Sequence, residues 1–401
     1  MEETPTTRWG VVWLAVIAGM VAAAHVGKLP PAMPGMRAEL GMSLVAGGWA
    51  GSIFSVTGMT VAILAGSVAD RIGHWRLVLI GLCALCAGSL LGSFAQGPGA
   101  LLASRFIEGF GFISVAASAP SVVVRATAPD RRRLALGLWG TYMPAGTAMM
   151  MIFSPLILTV AGWRVLWLVS SGLTALWIAV MLIGGRRAPR GTAQVSPTSA
   201  LANIRLTVGH PAPWILSLCF VLYALPWLAL MTWLPSMMIE DRGIDTALAA
   251  GLTALVVALN VPGNLAGGWL LHRGASYWSL ITAAFVAMGL SSGGMFVEAF
   301  PDPLRYLFCI TFSIFGGMLP ATVIAGSAVF AHSPAQVGTF NGMMVQGANA
   351  GQVIGPLALA AVVQAAGDWT AASGLMIAAC IAGILTVLPL RSLEKRHHGA
   401  T

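Results

Sequence analysis

His25 and Lys28 stand three residues apart inside one long apolar run, and Arg105 and Glu108 repeat that spacing inside another. On a helix this spacing puts both members of a pair on one face. An ionisable group in a bilayer core costs about 2.5–3.5 kcal/mol on insertion scales unless it meets water or a partner, so each such group is a functional candidate by default. Lys28 either snorkels to phosphate headgroups or offers a cation to a cavity. Arg105 and Glu108 either neutralise each other, or Arg105 grips an anion with its planar fork while Glu108 holds it or exchanges a proton. With His25 neutral, two cations face one carboxylate, and the balance favours an anionic ligand. Imidazole titrates near physiological pH, so His25 and Glu108 are the candidate coupling groups. In a carrier of solutes these two groups would favour proton symport, since plain exchange or facilitated diffusion needs neither residue.

Neutral candidates lie further along. Tyr223 and Trp227 share a helix face, as do Asn260 with Asn264, and Gln346 with Asn349 and Gln352. Aromatic packing and amide bridging between helices are the plain readings. If these groups reach a cavity, they suit a small polar ligand by hydrogen bonding.

These side chains are conspicuous because the chain around them is so apolar. Its 401 residues are 57% hydrophobic and only 8% charged, with a mean hydropathy of +0.85. A soluble domain is about a quarter charged. The apolar runs are continuous rather than alternating, so the spans are helices and not barrel strands. About 20 residues cross a bilayer, and twelve runs qualify: 9–33, 44–69, 76–95, 100–126, 134–158, 163–185, 213–237, 246–271, 276–297, 304–330, 337–365 and 370–390. The first run ends at Pro30, Pro31 and Pro34 without a small-residue cleavage site, so it reads as a retained helix. The polar interval 186–211 reads as a linker between an N-terminal half at 1–185 and a C-terminal half at 212–401.

With the N-terminus placed in the cytoplasm, fifteen basic residues fall on that side and only Arg37, Arg164, Arg242 and Arg305 on the other. Both termini are therefore expected to be cytoplasmic. The net charge of +8 is a topology signal, and no nucleic-acid partner is expected. Cys83, Cys86, Cys219, Cys309 and Cys380 all lie in apolar runs and read as small buried hydrophobes. The paired methionines, such as Met237–Met238, point about 100° apart on a helix and suit packing better than copper binding.

The two halves repeat. One ungapped offset of 201 pairs Pro34 with Pro235, Glu39 with Glu240, Gly66 with Gly267, Gly73 with Gly274, Gly137 with Gly338, Gly146 with Gly347 and Pro155 with Pro356. At that offset Arg105 falls on Tyr306, His25 on Pro226, Lys28 on Ala229 and Glu108 on Cys309. The charged equipment belongs to the first half alone, and Tyr306 joins the neutral candidates of the second.

The connector Gly66–Arg76 carries Gly66, Asp70, Arg71 and Gly73 in the pattern Gly-x-x-x-Asp-Arg-x-Gly, with His74 and Trp75 departing from it and Arg76 one place late. This resembles the loop after the second helix of the major facilitator superfamily. Arg105-Phe-Ile-Glu-Gly-Phe-Gly111 is similar to that family's fourth-helix motif, and Gly137–Gly146 with Pro155 to its fifth helix. The resemblance implies an all-α membrane fold of twelve transmembrane helices in two parallel six-helix repeats, working by alternating access. It implies that Lys28 and Arg105 line the cavity, and that Gly66, Asp70, Arg71, Gly73 and Arg76 form a cytoplasmic gate. Leu136–Trp139, Trp233–Pro235 with Glu240, and Met344–Gly347 resemble the cyanate/nitroimidazole-type branch. The expected protein is a monomeric secondary transporter of the bacterial inner membrane, without cofactor, for a small anionic solute. The alternative is a proton-coupled drug efflux pump, in which Glu108 matters and Lys28 does not. An enzyme is not expected, because a hydrolase within the spans would need a Ser–His, paired-Asp or His–Glu metal constellation, and there His25 is the one clear histidine and no second acid accompanies Glu108.

Overall fold

The computed structural model describes residues 6–185, 204–331 and 336–398, with the side chains of 61–71, 133, 328 and 396–398 outside that description. The chain is helical throughout these stretches. In order they are α1 (Trp9–Gly27), α2 (Leu29–Leu40), α3 (Leu44–Ile72), α4 (His74–Ser93), α5 (Pro98–Arg125), α6 (Arg132–Gly140) and α7 (Tyr142–Gly184). These are followed by α8 (Pro211–Glu240), α9 (Thr246–Ala258), α10 (Asn260–His272), α11 (Tyr277–Gly294), α12 (Asp302–Phe330), α13 (Val337–Ala366), α14 (Ala372–Val387) and α15 (Leu390–His398).

Among the described residues nine helical stretches are long and apolar enough to cross a bilayer. One of them is broken at Gly162 (φ 74°, ψ 179°), inside α7. With that division, and with α3 and α11, the helices correspond to the twelve apolar runs. The first run differs from its expected end at 33. The helix stops at Gly27 and restarts as α2, which continues to Leu40 with Pro30 and Pro31 in its first turn. Proline has no N–H to donate, so it interrupts a helix yet sits well where a new one begins. The three prolines therefore interrupt the hydrogen-bond ladder of this span rather than ending it.

Packing divides the chain into two compact units, Met1–Val195 with Met238–Ala254, and Ser196–Met237 with Leu255–Thr401. In the first, α5 lies against α3, α4 and α1, and α7 against α1 and α4. In the second, α12 lies against α10 and α11, and α11 against α14. Helices 201 residues apart in sequence thus play the same parts in the two units. The repeat reaches the backbone. Gly73 (φ 93°) turns the chain between α3 and α4, and Gly274 (φ 90°) between α10 and α11. That left-handed conformation carries no steric penalty only for glycine.

Large apolar side chains cover the outside. Val160 is 87% exposed, Leu265 70% and Leu290 71%. A water-facing surface avoids such patches, whereas lipid accepts them. Cys83 also faces outward, in contrast to the expected burial, while Cys86 contacts Ser171. Polar fastenings sit near helix ends. In the first unit Glu39 accepts from Trp163 Nε1 at 2.6 Å and Arg164 Nε at 2.8 Å, Arg164 donates to the carbonyls of Ser93 and Ala95, and Arg37 pairs with Glu240 at 2.8 Å. Glu39 and Trp163 also line, with Pro31, Pro34 and Thr246, a cavity of about 280 Å³.

The C-terminal helix is fastened in the second unit. Glu394 accepts from the backbone N–H groups of Tyr277 at 2.9 Å and Trp278 at 3.3 Å, capping α11 from outside its own chain segment. Arg391 stacks over the Trp278 ring at 4.9 Å. Loss of a helix cap costs about 1 kcal/mol. Glu394→Ala is therefore expected to lower thermal stability by about that much and to increase protease cleavage near α15, a result that an unchanged digestion pattern would contradict.

Candidate functional site

The first unit encloses a cluster of four ionisable side chains where α1, α4, α5 and α7 meet. His25 closes α1, and Lys28 stands at its break with α2. Arg105 and Glu108 come from α5, one turn apart. Glu108 is the hub. Its Oε1 accepts from Lys28 Nζ at 2.5 Å and faces His25 Nδ1 at 3.2 Å, while its Oε2 accepts from Arg105 Nη1 at 2.5 Å. Arg105 also donates to the carbonyls of His25 at 2.9 Å and Ala50 at 3.3 Å, and lies over the Phe54 ring.

Lys28 donates further to Ser89 Oγ at 2.6 Å, contacts His25 Nδ1 at 3.2 Å and stands 4.4 Å from the centre of the Trp167 ring. Ser89 in turn donates its hydroxyl hydrogen bond to the Trp167 carbonyl at 2.8 Å. His25 Nε2 meets Thr174 Oγ1 at 2.8 Å, and Thr174 donates to the Ser170 carbonyl at 2.8 Å. Small residues make room for this. A Cβ at Gly88 would lie 2.7 Å from Glu108 Cγ, so α4 reaches the hub only because it carries no side chain there.

The sequence paired His25 with Lys28 and Arg105 with Glu108, and the fold joins the two pairs into one network. All four are buried: Lys28 and Glu108 are 0% exposed, His25 and Arg105 1%. With His25 neutral, the network holds one positive charge in excess. Ser89, Trp167 and Thr174 were not among the candidates. Hydroxyls and tryptophans are common in this chain, and only the meeting of helices distant in sequence distinguishes these three.

The neutral candidates lie in the second unit. Tyr223 is buried and accepts from Asn260 Nδ2 at 3.3 Å, with the Trp227 ring 6.3 Å away. Asn260 also donates to the Ser313 carbonyl, and Asn264 donates to Asn260 Oδ1 at 2.9 Å, beside the break between α9 and α10. Tyr306 is half-buried on α12. Gln346 and Asn349 are half-buried on α13, where Asn349 bonds back to the Val345 carbonyl of its own helix. Among the gate residues, Gly73 occupies the turn and Arg76 is exposed on α4. The side chains of Gly66, Asp70 and Arg71 lie outside the described residues.

Two repeated helical bundles, a lipid-facing exterior and a charged network within the spans define a multi-pass membrane carrier. The chain belongs to the Major Facilitator Superfamily, whose model matches residues 14–344; it is a transporter and not an enzyme. The fold is that of a solved bacterial homologue of the human lysosomal transporter Spinster in an inward-facing, occupied conformation, at a TM-score of 0.80 and 13% identity over 98% of this chain and 97% of that one. Among curated relatives, a protein of Bacillus subtilis named for niacin/nicotinamide transport is 23% identical over 70% of each chain. One of Cupriavidus necator named for sulfoacetate transport is 24% identical over 92% of this chain and 90% of its own. The methylenomycin A resistance protein of Bacillus subtilis is 24% identical over 79% of this chain and 60% of its own.

Proposed function

We propose that this protein carries a small anionic solute across the bacterial cytoplasmic membrane by alternating access between halves at 1–185 and 212–401, with a proton as coupling ion and both termini in the cytoplasm. One observation carries the reading: Lys28 and Arg105 share a single carboxylate in a fully buried network. A buried charge without a partner is costly, so the excess positive charge calls for an anion. Lys28, Arg105 and His25 supply the attraction. Tyr223, Trp227, Tyr306, Gln346 and Asn349 supply neutral contacts, and Glu108 with His25 handles the proton. The gate is assigned to Gly66, Asp70, Arg71, Gly73 and Arg76. A relative named for transport of an organic anion, sulfoacetate, supports the substrate class. The short likenesses at 136–139, 233–240 and 344–347 favour the cyanate/nitroimidazole-type branch. The antibiotic-resistance relative favours a second reading, efflux of uncharged or weakly cationic drugs through Glu108.

Thermal stabilisation of the purified protein by cyanate, nitrate, short mono- and dicarboxylates and a nitroimidazole, at two pH values, tests this. Arg105→Gln leaves Lys28 opposite Glu108 as a neutral pair, so the variant is expected to fold. A saturable shift with one of these solutes, lost in Arg105→Gln, is the expected result. Stabilisation by lipophilic amines and by none of the anions overturns it in favour of efflux.

A further inference from the structure

The hydrogen atoms around His25 can be counted. Thr174 has one hydroxyl proton, and the Ser170 carbonyl at 2.8 Å takes it. The hydroxyl oxygen can then only accept from the ring, so Nε2 carries a hydrogen. Lys28 supplies an independent count. Its ammonium has three protons. Glu108 Oε1 takes one and Ser89 Oγ, whose own proton is committed to the Trp167 carbonyl, takes another. The third meets His25 Nδ1 at 3.2 Å, and is satisfied only if Nδ1 presents a lone pair. Both counts give the same tautomer, Nε2–H with Nδ1 bare, and the Lys28 ammonium, bonded to both atoms, screens the Nδ1 lone pair from Glu108 Oε1 at 3.2 Å.

We infer that Thr174 is a positioning residue that keeps His25 Nδ1 open as the proton-accepting atom of the transport cycle, so that protonation there displaces Lys28. The inference deepens the transport reading above and rests on it for the meaning of the cycle. A proton from solvent forms an N–H bond at Nδ1. That N–H points at Glu108 Oε1, 3.2 Å away, where Lys28 already donates. Nδ1 no longer accepts from Lys28, and two cations now stand 3.2 Å apart. The charged and titratable groups facing the ring are Lys28 at the α1–α2 break and Glu108 and Arg105 on α5; α7 contributes the neutral Thr174.

The displaced ammonium loses its acceptor at Nδ1 and competes with His25 for Glu108, while the excess charge of the network doubles. Both effects strengthen the demand for an external anion. By linkage, an anion bound beside Lys28 strengthens proton binding to the same degree. Release of the anion lets Lys28 return and expels the proton to solvent, closing the cycle.

Ring nitrogen spectra of the full-length protein labelled with 15N-histidine test the assignment. The chain has seven histidines, and the His25 signal is identified by its loss in His25→Gln. Wild type is expected to show His25 as the Nε2–H tautomer at alkaline pH. Thr174→Val strands the buried Nε2 hydrogen without an acceptor, so the ring is expected to turn over to the Nδ1–H form donating to Glu108 Oε1 despite the contact with Lys28, and Thr174→Ser to restore Nε2–H, a rescue that packing alone does not provide. Lysine labelling adds a second readout, because Lys28 and Lys395 are the only lysines. The Lys28 ammonium signal is expected to move at the pH where His25 titrates. An Nδ1–H tautomer in wild type, a pattern unchanged in Thr174→Val, or a Lys28 signal that stays fixed through the His25 titration overturns the inference. These spectra need no substrate. If they come out as stated and no anion stabilises the protein, the anion reading fails and the proton site stands; if an anion binds and the tautomer is wrong, the reverse holds.

Discussion

Glu108→Gln is expected to lower stability by about 3–5 kcal/mol, the usual cost of breaking a buried ion pair from one side. The carboxylate receives Lys28 on one oxygen and Arg105 on the other, at 0–1% exposure for all three side chains. Its removal leaves two like charges in the interior with no counter-charge among their direct ion-pair partners. Lys28→Met is expected to be much milder, since Arg105 and Glu108 remain as a neutral pair and methionine fills similar space against Trp167. Unfolding curves in detergent should therefore rank wild type and Lys28→Met well above Glu108→Gln. A Glu108→Gln protein as stable as wild type, or a Lys28→Met protein equally damaged, would contradict the assignment of Glu108 as the hub.

The second large effect is expected in the other unit, where α13 crosses α8. A Cβ placed on Gly347, Gly351 or Gly355 would lie 2.6, 2.3 and 2.1 Å from the carbonyl oxygens of Ser217, Val221 and Leu225. Glycines every four residues on one helix thus rest on carbonyls every four residues on the other. This is the close approach that small residues permit between membrane helices. Backbone cannot swing aside as a side chain does, so Gly351→Ala is expected to cost about 1–3 kcal/mol, and Gly351→Val more. Gly342 lies on the same helix with open space around its Cβ position. Gly342→Ala should leave stability unchanged or raise it by up to about 1 kcal/mol through helix propensity. Equal melting temperatures for the alanine variants at 342 and 351 would refute the backbone contact.

Much of this was legible because lipid is a demanding solvent. It satisfies no backbone group, so twelve apolar runs became twelve helical spans, and Gly73 with Gly274 announced equivalent turns. Charge is rare in such a chain, which made Lys28, Arg105 and Glu108 stand out. Their neighbours did not. Thr174 and Ser89 are two hydroxyls among many, and their roles follow from where α7 and α4 meet α5. Nor did spacing tell which way the charged face turns, and the four side chains meet in the first unit, buried against α4 and α7. The first span was expected to end at 33, because Pro30, Pro31 and Pro34 signal a stop equally well whether a new helix follows or not, and it runs on to Leu40.

The staircase of Gly347, Gly351 and Gly355 has a consequence for how such a protein tolerates change. Ser217, Val221 and Leu225 are a polar residue, a β-branched one and a bulky aliphatic one, yet each presents the same carbonyl oxygen to its glycine. The contact uses an atom that every amino acid possesses. Drift on α8 is therefore free of this constraint, while drift on α13 is not. Two surfaces in intimate touch would then leave a record on one partner only, and a search for compensating pairs of substitutions would pass over one of the tightest helix crossings in the molecule.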